Sequence, residues 1–374
     1  MSINVLHLIG GGEIGGAEQN VLNLLKNLDR QNVNPFLGCL AKGSVLASCA
    51  QSFGIPSEIF PMLFPFDLSP LPTIIAFCRK HKIALIHAHG TRGNLLGRIV
   101  ARLTKIPCIS TIHSLPEYDY PSSLKGRISL WVDNLTLPWS AGIIAVSVSL
   151  SQSAAIRLNR KGLTLPVNVI YNGSEIFTFT QPDQMLKTFR QQWSIPDHCL
   201  VIGTIGRLHP VKGQSYLIEA MKLLTTEIPN LHLLIIGEGP LHDQLTEQLT
   251  LSGLPFTLTG YLPSAWQALP AMDLFVFPSL SEGMGLVLLE AAQAGIPIIA
   301  SKVGGIPELL EDHKEALLVP PADPAALALA CSKVLKDRAF SAEMTARSRQ
   351  KASLFSVEKM VQDTIAFYKK IMKN

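Results

Sequence analysis

Two glutamates eight residues apart, Glu282 and Glu290, bracket the segment Gly283-Met284-Gly285-Leu286-Val287. Paired carboxylates first suggest acid–base work on a glycosidic bond, which needs them roughly 5–9.5 Å apart. A helical span of that length would separate them by about 12 Å, so a hydrolase pair is disfavoured. One ligand with hydroxyls at both ends suits the spacing better. Between the acids, Gly285, Leu286 and Val287 open a helical run that Gly295 and Pro297 end. Amides at a helix start have no partner in the helix ladder and favour a phosphate, and Gly283 and Gly285 let a ligand approach the backbone closely. Glu290 lies among Leu288, Leu289, Ala291 and Ala292, where a charge needs a partner. Either acid taken alone is equally consistent with a solvated helix residue.

A basic counterpart stands earlier in the chain, in Gly206-Arg207-Leu-His-Pro-Val-Lys212-Gly213. An arginine at a strand end and a lysine five residues later can converge on one diphosphate, the first as a fork and the second as a point charge. The chain has no Asp-x-Asp. Enzymes that hold a diphosphate through a divalent ion usually need such a pair, whereas two cations and a helix start can do without one. No metal and no cofactor are therefore expected. His87 and His89 end one apolar run and His113 another; alternate histidines suggest a metal, but with no third ligand at a suitable spacing that reading is disfavoured. Gly10 to Gly16 superficially matches a dinucleotide fingerprint, yet the next run ends in Cys39-Leu40-Ala41-Lys42 with no acid to take a ribose. That counts against NAD.

Short apolar runs that alternate with helical patterns must position these groups, from Val5–Ile9 to Val167–Ile170 and again from Leu200–Ile205 to Ile298–Ala300. Such alternation implies α/β architecture with parallel sheets. At 374 residues, 47% hydrophobic and 16% charged, the chain fits two domains with good cores. We divide it into residues 1–173 and 174–355, with the polar, proline-containing stretch 172–197 as linker. The helical pattern over 356–374 is assigned back to the first domain. Ligands in such sheets bind at strand C-terminal ends, and a hinge would face both sets of ends across one cleft. Six cysteines form no CxxC pair, which favours a reducing compartment. With no apolar run near 18 residues and no basic leader, a soluble cytoplasmic protein is expected. Residues 1–172 carry +7 and the remainder −3, which suits an anionic acceptor or an anionic membrane surface. Pro61–Phe66 and Leu124–Trp131, with Trp139, mix aromatics with basic residues. Core packing is the default for them, and peripheral contact with the inner face of a membrane the functional alternative.

Ser279-x-x-Glu282-Gly-x-Gly285-Leu, followed by Gly295-x-Pro297 and Gly304-Gly305-x-Pro307-Glu308, resembles the retaining nucleotide-sugar glycosyltransferases of family 4. The resemblance implies a GT-B fold, two Rossmann-like doubly wound domains facing a cleft, with the last helix crossing back onto the first. It implies a nucleoside-diphosphate sugar as donor, by family habit UDP-linked, and a glycan or lipid-linked acceptor of the cell envelope, with no nucleic acid. On the donor it places Gly15, Gly16, Gly206, Tyr261, Gly283, Met284, Gly285, Leu286, Val287 and Glu290, the last on the ribose. His113 lies beside the transferred sugar, Arg207 and Lys212 neutralise the leaving diphosphate, and Glu282 takes sugar hydroxyls. Glu18 and His89 fall on the acceptor side. Retention implies same-face attack with the leaving phosphate taking the acceptor's proton. A nucleotide-sugar epimerase of this architecture, or a non-catalytic sugar-binding protein, are the alternatives.

Overall fold

The computed structural model describes residues 2–12, 14–114, 124–177, 179 and 181–373. They fall into two compact units: residues 1–175 with 356–374, and residues 176–355.

In the first unit seven strands form one parallel sheet: β1 Ile3–Ile9, β2 Val33–Cys39, β3 Ser57–Ile59, β4 Leu85–His89, β5 Cys108–Ile112, β6 Gly142–Ala145 and β7 Val167–Val169. Their order is β3-β2-β1-β4-β5-β6-β7, so the winding reverses between β1 and β4. Both faces are buried, which is why the strands read as continuous apolar runs. Val5, Ile9, Leu37 and Leu85 pack on one face, and Leu6, Leu8, Ile86 and Ala88 on the other. The helix Val357–Lys373 covers the first of these faces with Val357, Met360, Val361, Phe367, Tyr368 and Ile371. Its helical apolar spacing thus finds its partner in a sheet whose strands all lie in the first half of the chain.

The second unit repeats the scheme with six strands: β8 Leu200–Ile205, β9 Leu231–Ile236, β10 Phe256–Leu258, β11 Leu274–Phe277, β12 Ile298–Ser301 and β13 Leu317–Val319. The order is β10-β9-β8-β11-β12-β13, and the reversal lies between β8 and β11. The three-residue edge strands β3 and β13 are too short for a periodic signal.

The stretch 172–197 is not an open linker. Pro182–Gln192 is a helix of the second unit. Its buried Arg190 donates to the carbonyls of Ala271 and Cys199 and to the Asp273 carboxylate at 2.9 Å. The polar composition that suggested a linker belongs to the solvent side of a docked helix, and the change of unit falls between Glu175 and Ile176.

Candidate active site

In the second unit the loops that follow β8, β9, β11 and β12 interlock at the strand C-terminal ends. The Leu280 amide donates to the Val211 carbonyl at 2.7 Å, Leu208 to Glu238 at 2.9 Å, and Gly305 to Glu282 at 3.4 Å. Two glycines make this possible. Gly213 has φ +67°, and a Cβ on it would lie 2.1 Å from the Pro278 carbonyl oxygen; a Cβ on Gly304, at φ +53°, would lie 1.8 Å from that of Glu282. Gly206 leaves β8 on this side, and the buried Gln214 ties down the next residue, its side chain donating to the Arg207 carbonyl at 3.0 Å.

The loops bring two of the predicted polar groups, Lys212 and Glu282, together. Lys212 donates to the Glu282 carboxylate at 2.6 Å, with its ammonium 5.3 Å from the centroid of the Phe277 ring. Arg207 is exposed. Partial burial and the charges of Arg207 and Lys212 hold the His209 pKa below its usual value. Gly283 and Met284 are buried beneath the turn. Gly285, at φ +77°, caps the helix Leu286–Ala294, which Gly295 closes at φ +74°. The Gly285, Leu286 and Val287 amides therefore stand at a helix start, where the dipole favours an anion. Glu290 lies on that helix, and burial pushes its carboxyl up to about 7. Tyr261, 52% exposed, follows Gly260, whose carbonyl accepts from the Gly237 amide at 3.0 Å.

In the first unit Gly15 caps the helix Gly16–Asn27, and the Glu18 carboxylate accepts from the Gly15 amide at 3.2 Å. The histidines depart from expectation. His7 stands opposite His87 in the β1–β4 register, where the winding reverses, and supplies the third imidazole that spacing along the chain could not show. The His7, His87 and His89 side chains could hold a metal ion. Their ring nitrogens instead engage one another and their neighbours: His7 Nδ1 is 3.1 Å from His89 Nε2, His89 Nδ1 is 3.3 Å from His113 Nε2, and His87 touches Tyr368 at 2.5 Å and Thr111 at 2.6 Å. His89, expected on the acceptor side, is 1% exposed and reaches His113. Burial lowers the His7 pKa to about 3 and that of His113 to about 4. His87 and His89 are held well below the ordinary imidazole value by burial and by the neighbouring rings.

Two doubly wound α/β units, one carrying a cationic loop, a helix start and two acids, define a GT-B glycosyltransferase. The chain belongs to the group 1 and family 4 glycosyltransferases: residues 199–337 match the model described as glycosyl transferases group 1, and residues 14–176 that of glycosyltransferase family 4. It is 24% identical over 320 residues to the UDP-Gal:alpha-D-GlcNAc-diphosphoundecaprenol alpha-1,3-galactosyltransferase of Escherichia coli, covering 82% of this chain and 81% of the relative. To the D-inositol 3-phosphate glycosyltransferase of a Nocardioides strain it is 29% identical, covering 96% and 86%. The fold matches HepE of Anabaena in complex with UDP and glucose, with a TM-score of 0.84 at 25% identity over 98% of this chain and 100% of that one. It also matches sucrose-phosphate synthase of Thermosynechococcus elongatus, with a TM-score of 0.79 at 21% identity over 99% of each.

Proposed function

We propose that this protein moves a sugar, with retention, from a UDP-linked donor to a hydroxyl of a lipid- or polysaccharide-linked glycan. One observation carries the donor half: Arg207, Lys212, Glu282 and the helix start at Gly285 belong to loops that bond to one another at the β8–β11 reversal. Negative charge develops on the leaving diphosphate, so preorganised cations and amides there supply the largest catalytic term. Glu290 takes the ribose hydroxyls, Glu282 the sugar, and Tyr261 the edge of the base. HepE in complex with UDP and glucose supports the choice of nucleotide.

Because two cations and a helix start can neutralise the diphosphate, the reaction runs without a divalent ion. Activity abolished by a chelator and restored by Mg²⁺ or Mn²⁺ overturns this. Thermal stabilisation by UDP, but not by GDP or ADP, tests the donor; at 100 times its dissociation constant a ligand adds about 2.7 kcal/mol. Conversion of donor without any acceptor would favour an epimerase, and donor binding without turnover a sugar-binding protein.

The acceptor half rests on the first unit. On the helix Leu124–Thr136, Ile128, Trp131 and Leu135 share one face and are 40%, 64% and 53% exposed. Beside them a groove of about 360 Å³ is lined by Phe66, Leu68, Leu103, Val132, Leu135 and Trp139, and Arg102 and the exposed Arg127 add positive charge. This face meets an anionic membrane and the lipid of the acceptor; among the described residues no helix is long and apolar enough to cross one. Binding to phosphatidylglycerol vesicles should fall in a Trp131→Ser, Leu135→Ser variant, and unchanged binding sinks the membrane contact.

A further inference from the structure

Four imidazoles of the first unit, those of His7, His87, His89 and His113, form one row in which Tyr368 links His87 to His7. Tyr368 Oη lies 2.5 Å from His87 Nδ1 and 3.5 Å from His7 Nε2. His7 Nδ1 then meets His89 Nε2, and His89 Nδ1 meets His113 Nε2. The outer nitrogen, His113 Nδ1, is buried and has no hydrogen-bond partner among the described residues. His7, His87, His89 and Tyr368 are at most 1% exposed. We propose that Tyr368, His7 and His89 are positioning residues that hold His113 in one tautomer, with its unpartnered Nδ1 lone pair kept free to accept a hydrogen bond from a substrate hydroxyl.

Burial keeps these rings neutral at pH 7. A neutral imidazole has one donor and one acceptor nitrogen, so the sense of one link sets every other. Tyr368 has a single O–H for two neighbours. The short contact to His87 takes it, and His87 passes its own N–H on to the Thr111 hydroxyl. The phenol oxygen is then an acceptor toward His7, which must carry its proton on Nε2. His7 Nδ1 accepts from His89 Nε2–H, and His89 Nδ1 accepts from His113 Nε2–H. His113 Nδ1 is left bare. The opposite sense would put a proton on His113 Nδ1 and make it a donor. A tyrosine on the C-terminal helix thereby decides what His113 offers to the ligand. A metal at His7, His87 and His89 is the rival reading; it would break the row, because it takes the nitrogens the row uses.

The inference rests on the glycosyltransferase reading only for the identity of the hydroxyl, and the first test is independent of it. Nitrogen-15 spectra of the histidine side chains should show His7, His89 and His113 all protonated at Nε2. His113 protonated at Nδ1, or stoichiometric metal in the purified full-length chain with these rings as ligands, overturns the proposal. Tyr368→Phe keeps the ring and removes the hydroxyl; His113 should then populate both tautomers, and kcat/KM should fall in proportion to the fraction left in the competent one, about twofold for equal populations. In a His113→Ala background the same change should have no further effect; an equal fall that persists there marks a merely structural role and overturns the proposal. Tautomers as expected, with no response of His113 to donor or acceptor, would leave the row standing and sink the substrate assignment instead.

Discussion

The Lys212 ammonium donates to the Glu282 carboxylate at 2.6 Å, joining the loops that leave β8 and β11, the two strands at which the second sheet reverses its winding. The two side chains are 23% and 15% exposed, so each depends on the other for compensation. In the proposed reaction Lys212 faces the leaving diphosphate and Glu282 the sugar. Lys212→Ala should lower kcat by about 10²–10³, the usual cost of removing one preorganised electrostatic group; steady-state kinetics with near-wild-type turnover would remove Lys212 from the mechanism. Glu282→Gln should separate binding from transfer. It frees Lys212 and removes a negative charge, so UDP alone should bind about 3–10-fold tighter while turnover falls. Calorimetry that finds weaker UDP binding in this variant would place Glu282 on the nucleotide instead.

Glu290 gives the site its pH dependence. Its folded pKa is about 7 against an ordinary 4.5, so the folded chain holds a proton that the unfolded chain releases. Stability should therefore fall as pH rises from 4.5 to 7 and then level off, a total of roughly 3 kcal/mol for a shift of this size. Glu290→Gln should remove that slope and melt higher than the parent at pH 8. Ribose hydroxyls that donate to the carboxylate favour its charged form, so UDP affinity should rise with pH up to about 7 in the parent only. Parallel melting curves for the two proteins across this range would contradict the assignment.

The glycines that lock the loops should be intolerant of a single methyl. Gly304→Ala places a Cβ 1.8 Å from the Glu282 carbonyl oxygen at a residue with positive φ, and neither backbone can yield without moving Glu282. Left-handed strain alone is about 1 kcal/mol; the clash adds displacement of the loop. UDP-induced stabilisation should be lost, with the variant still folded by circular dichroism. Gly162→Ala makes the control. It has the same sign of φ with nothing near its Cβ, and should cost only the strain.

The helix after β11 was legible because local chemistry writes it into the chain: Gly285 and Gly295 bound it at both ends, and the strand–turn–helix order of the segment can be read directly. The histidine row was not. His7 is 80 residues from His87 in sequence, and only the parallel register of β1 with β4 makes them neighbours. Nothing in the spacing of His87 and His89 announces a partner on a strand that early in the chain. Pro182–Gln192 was hidden for a different reason. Its polar residues outnumber a short, half-buried apolar stripe of Met185, Leu186 and Phe189, beside which the one buried side chain is an arginine. Contacts made by strand register carry no periodic signal.

The helix that bears Trp131 and Leu135 is held from beneath by charge. Asp133 accepts from Arg98 at 2.6 Å and also pairs with Arg157; Arg98 and Asp133 are 1% and 7% exposed, and Arg98 further donates to the Ser110 hydroxyl at 3.0 Å. Burial pushes the Asp133 pKa up, but the two arginines and their hydrogen bonds outweigh it and hold the carboxyl below its usual value. A depressed carboxylate contributes stability above its unfolded pKa and loses it as pH falls through the folded one, so this support should fail only in acid. At pH 7 Asp133→Ala leaves Arg98 buried and uncompensated, which should cost about 3–5 kcal/mol. The loss should appear first as increased amide exchange over Gly126–Thr136 and as weaker vesicle binding, while UDP still stabilises the second unit. If exchange in that helix is unchanged, the exposed face of Ile128, Trp131 and Leu135 is held by packing on the groove and not by its ion pairs.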